Sequence, residues 1–264
     1  MKKVWVVLIC MMCVIVIMAG NIHWQIKTGA PGANRVFNSV HLFEGEAESE
    51  TDPLIEEKSE YSKNLPENLT SKIKSAQEGG KPIKFVMYGS ETTSAEIGAW
   101  PVLLQDKLNE AYGEHVFEIS ILSEKDKTSK EVLNEQLYKK VKDKEPDLLL
   151  IEPFILKDNG KIGILKTLLN VKEIIFDIKN ENPEMTIMLQ PPHPLFDATY
   201  YPKEVAEFKK FAEDQKFIFL DHWSNWPSSE DEKLKNYLSE TDSKPNEKGH
   251  AIWADFLIRY FVSE

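Results

Sequence analysis

The sequence predicts an α/β fold: a three-layer α/β/α sandwich built on a five-stranded parallel sheet. Three observations lead there. From Lys81 onward, short apolar and β-branched runs alternate with longer stretches of helical periodicity. Each of the five strand-like runs is followed by a helix, the pattern of right-handed crossovers between parallel strands. The third run, Leu148-Leu149-Leu150-Ile151, is apolar without interruption, as a central strand covered on both faces must be.

The elements follow in order. Strand-like runs lie at 83–88, 116–122, 147–153, 185–190 and 217–221, and helical stretches at 95–112, 129–144, 162–180 and 202–215. The first run stops at Gly89-Ser90, a turn pair that feeds directly into helical pattern. A last helix is expected over 246–262, where Ala251, Ile252, Ala254, Phe256, Leu257, Tyr260 and Phe261 recur at helical spacing. A short helix at 69–76 precedes Gly79-Gly80. No internal repeat and no second globular domain is visible.

Ahead of this domain (residues 81–264) the chain has a different character. Lys2 and Lys3 precede seventeen uncharged residues, 4–20, and small residues are missing from the −3 position of any cleavage site near Gly20. Residues 1–22 therefore read as an uncleaved membrane anchor, with the lysines inside and the rest of the chain outside the cell membrane. A cleaved signal segment and a secreted product is the alternative. Residues 23–80 read as an acidic flexible linker: between Glu44 and Glu60 eight acids face one base, Lys58, too polar a run to bury itself. The formal charge of −11 argues against nucleic-acid binding. Both cysteines, Cys10 and Cys13, fall in the first apolar segment, which leaves the domain without a disulfide framework or a thiolate metal site.

In a parallel α/β sheet the loops after the strands share one edge, where ligands bind. Here they carry Gly89-Ser90-Glu91, then 123–128, then Lys157-Asp158-Asn159-Gly160, then Gln190-Pro191-Pro192-His193-Pro194, then Asp221-His222-Trp223 and a long loop ending at His250. A serine, an asparagine and several histidines on one edge are the parts of an acyl-transfer site: nucleophile, oxyanion donor and base. The competing reading makes Ser90 a helix cap and Asn159-Gly160 a turn. The histidines and acids show no metal-ligand spacing, so neither metal nor cofactor is expected.

Gly89-Ser90 after the first strand, Asp158-Asn159-Gly160 after the third, and Pro245-Asn246-Glu247-Lys248-Gly249-His250 opening the last helix resemble the SGNH/GDSL hydrolase superfamily. The resemblance spans residues 81–261. It implies a flavodoxin-like sandwich and an ester hydrolase, with Ser90 as nucleophile and Asn159 as oxyanion donor beside the Ser90 N–H. It further implies a substrate bearing an O-acetyl or acyl ester, either a small molecule or a cell-envelope polymer. The sequence departs from the family at two places. The loop 123–128 has no glycine to serve as a further oxyanion donor. The family's Asp-x-x-His-Pro reads Thr241-Asp242-Ser243-Lys244-Pro245, with lysine in place of the histidine base. His250, oriented by Asp242, is the replacement expected here; His222, His193 and Lys244 are the others. Two alternatives stand beside the esterase: a catalytically degenerate binding module, and an FMN-binding protein, since Tyr88-Gly89-Ser90-Glu91-Thr92 also resembles a flavodoxin phosphate loop.

Overall fold

A computed structural model of the chain describes residues 60–263 apart from Asp242. Five parallel strands, β1 (Ile83–Ser90), β2 (Phe117–Glu124), β3 (Leu148–Ile151), β4 (Thr186–Leu189) and β5 (Ile218–Phe219), lie in the order β2-β1-β3-β4-β5. The chain moves outward from β1 to β2, then returns to the other side of β1 and proceeds through β3 to β5. Right-handed crossovers in opposite directions put their helices on opposite faces. The sheet is thereby covered twice, and the order reverses between β1 and β3.

The strand period of two sorts the side chains between the faces. Phe85, Met87, Leu148 and Leu150 join one core, with Leu104 and Leu108 of α2 (Trp100–Tyr112) and Trp253, Leu257 and Phe261 of α8 (Glu247–Phe261). Val86, Tyr88, Leu149 and Ile151 join the other, with Val171, Ile174, Ile175 and Ile178 of α6 (Ile164–Lys179) and Val205 and Phe208 of α7 (Tyr201–Asp214).

Three elements differ from the sequence expectation. α1 (Glu67–Gln77) is no part of a spacer: Leu69, Ile73 and Ala76 are buried in the first core, so the folded body reaches back at least to Glu60 instead of starting at Lys81. The helix expected from 95 starts at Trp100, because Pro101 lacks an N–H and fits only the first turn. The helix expected over 129–144 breaks into α3 (Ser129–Asn134) and α4 (Lys139–Lys142) at Gln136, whose φ of 55° no α-helix accommodates. α3 begins on a capping box between Thr128 and Glu131.

Residues 1–59, and with them the expected anchor and most of the expected linker, lie outside the described residues. Among the described residues no helix is long and apolar enough to cross a membrane.

Candidate active site

Ser90 is the last residue of β1 and Glu152 follows the last residue of β3, so both stand at the point where the strand order reverses. That crevice is where open α/β sheets bind ligands. Register forces the contact: Tyr88 pairs with Ile151, and the Glu152 N–H donates to the Tyr88 carbonyl at 2.9 Å. Gly89 lies between them because nothing larger fits. A Cβ there would stand 2.6 Å from Glu152 Oε2 and would also meet the Thr93 hydroxyl.

The Glu152 carboxylate is completely buried and accepts several hydrogen bonds from the turn after β1. The Ser90 hydroxyl lies 2.9 Å from each carboxylate oxygen, and the Ser90 N–H donates to Oε2 at 3.0 Å. The hydroxyls of Thr93 and Thr92 donate to the same oxygen at 2.8 and 3.2 Å. Thr92 Oγ1 also lies 3.0 Å from Ser90 Oγ. Burial disfavours the charged carboxylate and outweighs these donors, so the Glu152 pKa is raised from its ordinary 4.5 to about 7.

Ser90 opens on a cavity of about 210 Å³ whose wall includes Thr92, Leu156, Lys157, His193 and Lys244. The two lysines share Glu91, which forms a short ion pair with Lys157 and lies 3.3 Å from Lys244; Lys157 also reaches Asp126 at 3.0 Å. Positive charge thus enters the wall beside the serine, held in place by carboxylates. Lys244, at the family's histidine position in sequence, does line the cavity on which Ser90 opens.

Of the described histidines, only His193 joins Ser90 in this wall; its Nε2 lies 3.0 Å from the Ser243 carbonyl. His222 is locked in the core. Its Nδ1 accepts from the Trp226 indole at 3.0 Å, which leaves the proton on Nε2 for the Pro191 carbonyl at 2.8 Å. Its ring stacks on Trp253 at 4.2 Å, and burial lowers its pKa to about 3. His250 is absent from the cavity wall. Its Nδ1 accepts from the backbone N–H of Trp100 at 3.2 Å and so caps α2, and burial lowers its pKa too. Asp242, its expected orienting acid, lies outside the described residues.

The Asp158-Asn159-Gly160 segment ends the short helix α5 (Ile155–Asp158), and its side chains point elsewhere. Asp158 is buried and accepts from the Ser129 N–H at 2.8 Å, from the Ser129 hydroxyl, and from the Thr167 hydroxyl at 2.7 Å, which ties α3 to α6. The Asn159 amide donates to Glu204 of α7 at 2.8 Å, and Asn159 does not line the cavity. The structure therefore joins Ser90 with Glu152, Thr92, Lys157, His193 and Lys244, and not with Asn159 or His250. Glu152 was legible only as an acid placed directly after an unbroken apolar strand. Among the described residues no cluster of side chains is suited to hold a metal ion.

An α/β/α domain with a serine at its topological switch point is the architecture of a known hydrolase fold, and the structural comparisons identify which one. The chain is similar to an acetylxylan esterase of Geobacillus stearothermophilus, solved as a catalytic mutant, with a TM-score of 0.55 at 15% identity, over 69% of this chain and 95% of the esterase. It is similar to a protein of the G-D-S-L lipolytic family from Desulfitobacterium hafniense (TM-score 0.53, 18% identity, 67% of this chain and 98% of that one). It is also similar to a GDSL-like lipase of Bacteroides thetaiotaomicron (TM-score 0.51, 14% identity, 74% and 97%). No family model matches the sequence, and no curated protein matches it. The domain has the fold of the SGNH/GDSL hydrolases.

Proposed function

We propose that the domain is a serine ester hydrolase of SGNH type that removes a short acyl group, with Ser90 as the nucleophile. The observation that carries this reading is the placement of the Ser90 hydroxyl: at the end of β1, at the switch point, on the wall of a cavity and 2.9 Å from a carboxylate. A serine hydroxyl is a weak nucleophile at neutral pH, and an adjacent proton acceptor activates it. At about 210 Å³ the cavity falls below the ~300–1,000 Å³ of sites for drug-sized ligands, which favours an acetyl or similarly short acyl over a lipid chain. The acetylxylan esterase among the similar structures points the same way. Lys157 and Lys244 are the cations of the cavity wall, available to a developing oxyanion although Glu91 and Asp126 offset part of their charge. With an outward-facing, N-terminally anchored chain, the substrate would be an O-acetylated or acylated component of the cell envelope.

One observation favours a second reading, a degenerate domain that binds without cleaving. The Ser90 N–H, the usual oxyanion donor of this fold, is occupied by Glu152. The same carboxylate takes the hydroxyl donors that a flavin phosphate would need, which disfavours the FMN alternative. Labelling with a fluorophosphonate separates the two main readings. A hydrolase takes up the probe on Ser90 and loses it in Ser90→Ala; a folded protein that takes up none is a binding module.

A further inference from the structure

Resting on Ser90 as nucleophile, the geometry raises the question of which group accepts its proton. The histidine of the family position is replaced by Lys244, and His222 gives both ring nitrogens to Trp226 and Pro191. His250 lies off the cavity wall with its Nδ1 on the Trp100 N–H, and His193, though in the wall, has its Nε2 on the Ser243 carbonyl. The Glu152 carboxylate, by contrast, lies 2.9 Å from the Ser90 hydroxyl. We propose that Glu152 is the general base for Ser90 and that the Thr92 hydroxyl carries protons between Glu152 and the cavity.

Four features support a serine–glutamate pair. The hydroxyl-to-carboxylate distances of 2.9 Å are already those of a nucleophile and its base. The glycine at position 89 has no side chain to hold the carboxylate away. Burial brings Glu152 to a pKa of about 7, where a base both takes and returns a proton near neutral pH. Finally, Glu152 has no exposed surface, so it cannot itself protonate a leaving group, whereas Thr92 touches both Ser90 Oγ and Glu152 Oε2 and lines the cavity.

The steps balance without a further reactant. Ser90 Oγ bonds to the ester carbonyl carbon as its proton passes to Glu152, and the carbonyl π pair moves onto oxygen. The tetrahedral species collapses by breaking the bond to the alcohol oxygen, which takes the Thr92 proton while Thr92 takes that of Glu152. Water then attacks the acyl-serine, giving its proton to Thr92 as Thr92 passes its own to Glu152. Cleavage of the Oγ–acyl bond returns the proton from Glu152 to Ser90 and frees the acid.

The charged and titratable groups around the pair are few. Tyr201 of α7 approaches Glu152, and burial holds its phenol protonated far above neutral pH. Across the cavity stand Glu91, Lys157, Lys244 and His193. Activity controlled by Glu152 therefore rises with pH to a plateau, with its midpoint near the carboxylate's own pKa.

The test is the rate of fluorophosphonate labelling of the whole protein as a function of pH, for the wild type, Glu152→Gln, Glu152→Asp and Ser90→Ala. The expected result is wild-type labelling that rises through neutral pH and is absent in Ser90→Ala. Glu152→Gln should be slower by ~10²–10⁴-fold, the usual contribution of a general base, and Glu152→Asp should recover part of the rate. If Glu152→Gln labels at the wild-type rate while Ser90→Ala does not label, Ser90 remains the nucleophile and Glu152 is not its base. No labelling of the wild type overturns the hydrolase reading and this inference with it. Should Glu152→Gln fail to fold, Glu152→Asp decides: its shorter side chain draws the carboxylate away from Ser90, and labelling at the wild-type rate excludes Glu152 as the base.

Discussion

At the scale of single residues, the buried titratable groups make opposite demands on pH. Glu152 holds its proton more tightly in the folded chain than in the unfolded one, with a pKa of about 7 against 4.5. The folded state therefore binds the extra proton between these values, and the contribution of Glu152 to stability declines as pH rises from 4.5 to 7. The full decline is about 3 kcal/mol, from ~1.4 kcal/mol per pKa unit. His222 works the other way: its pKa of about 3 in the core means that stability is lost as pH falls below 6.5. Denaturant unfolding of the wild type and Glu152→Gln at pH 5 and pH 8 isolates the first effect, and the stability difference between the two proteins should change by roughly 3 kcal/mol between these conditions. A difference independent of pH would show that Glu152 is ionised throughout. Asn159 offers a second residue-level test. Because its amide is spent on Glu204, Asn159→Ala should lose about 1 kcal/mol of stability and keep its labelling rate per folded molecule. A fall of ~10²–10³-fold in rate would instead mark Asn159 as an oxyanion donor.

At the scale of elements, α1 and the start of α2 decide how much chain the fold needs. α1 closes one face of the sheet with Leu69 and Ile73, each worth about 1.5–3 kcal/mol when buried. Lys72 adds a 2.6 Å ion pair to Asp147, at the start of β3. A chain beginning near residue 58 should unfold cooperatively and close to the temperature of the full domain. One beginning at residue 81 should show a melting temperature lower by at least ten degrees or no transition; equal melting temperatures would make α1 an appendage. At α2, the N–H of Trp100 has its partner 150 residues away in His250. His250→Ala removes that cap and should cost about 1 kcal/mol in chemical denaturation.

At the scale of the whole molecule, the proposed N-terminal anchor predicts where the domain is held. Val4 to Gly20 carry no charge and follow two lysines, from which we propose an anchor that holds its N-terminus inside. The full chain should therefore fractionate with membranes and keep its N-terminal residues; soluble protein beginning near Asn21 would mean that the segment is cleaved.

Strand and helix periodicity were written locally, so the alternation from 83 to 262, the five parallel strands and the serine at the end of β1 were readable from the sequence. Apolar spacing reports which face a residue presents to its own element, and composition reports what can be buried. Neither reports which distant residue arrives opposite. The short helix at 69–76 was legible, but the acidic segment before it suggested a solvated spacer, and only its burial in the first core makes Leu69 and Ile73 part of the folded body. His250 and Asn159 matched a motif's order, yet the tertiary structure gave their hydrogen-bonding atoms to Trp100 and Glu204. Glu152 read as an ordinary charge after a strand; the pairing of β1 with β3, and the missing side chain of Gly89, brought its carboxylate against Ser90. The sequence by itself determined the layers, the edge of the sheet on which the strand-end loops gather and the place of Ser90 at the end of the first strand. Only the tertiary structure decided that Glu152 is the partner of Ser90, because that contact spans 62 residues and depends on strand register and desolvation, which no local pattern encodes.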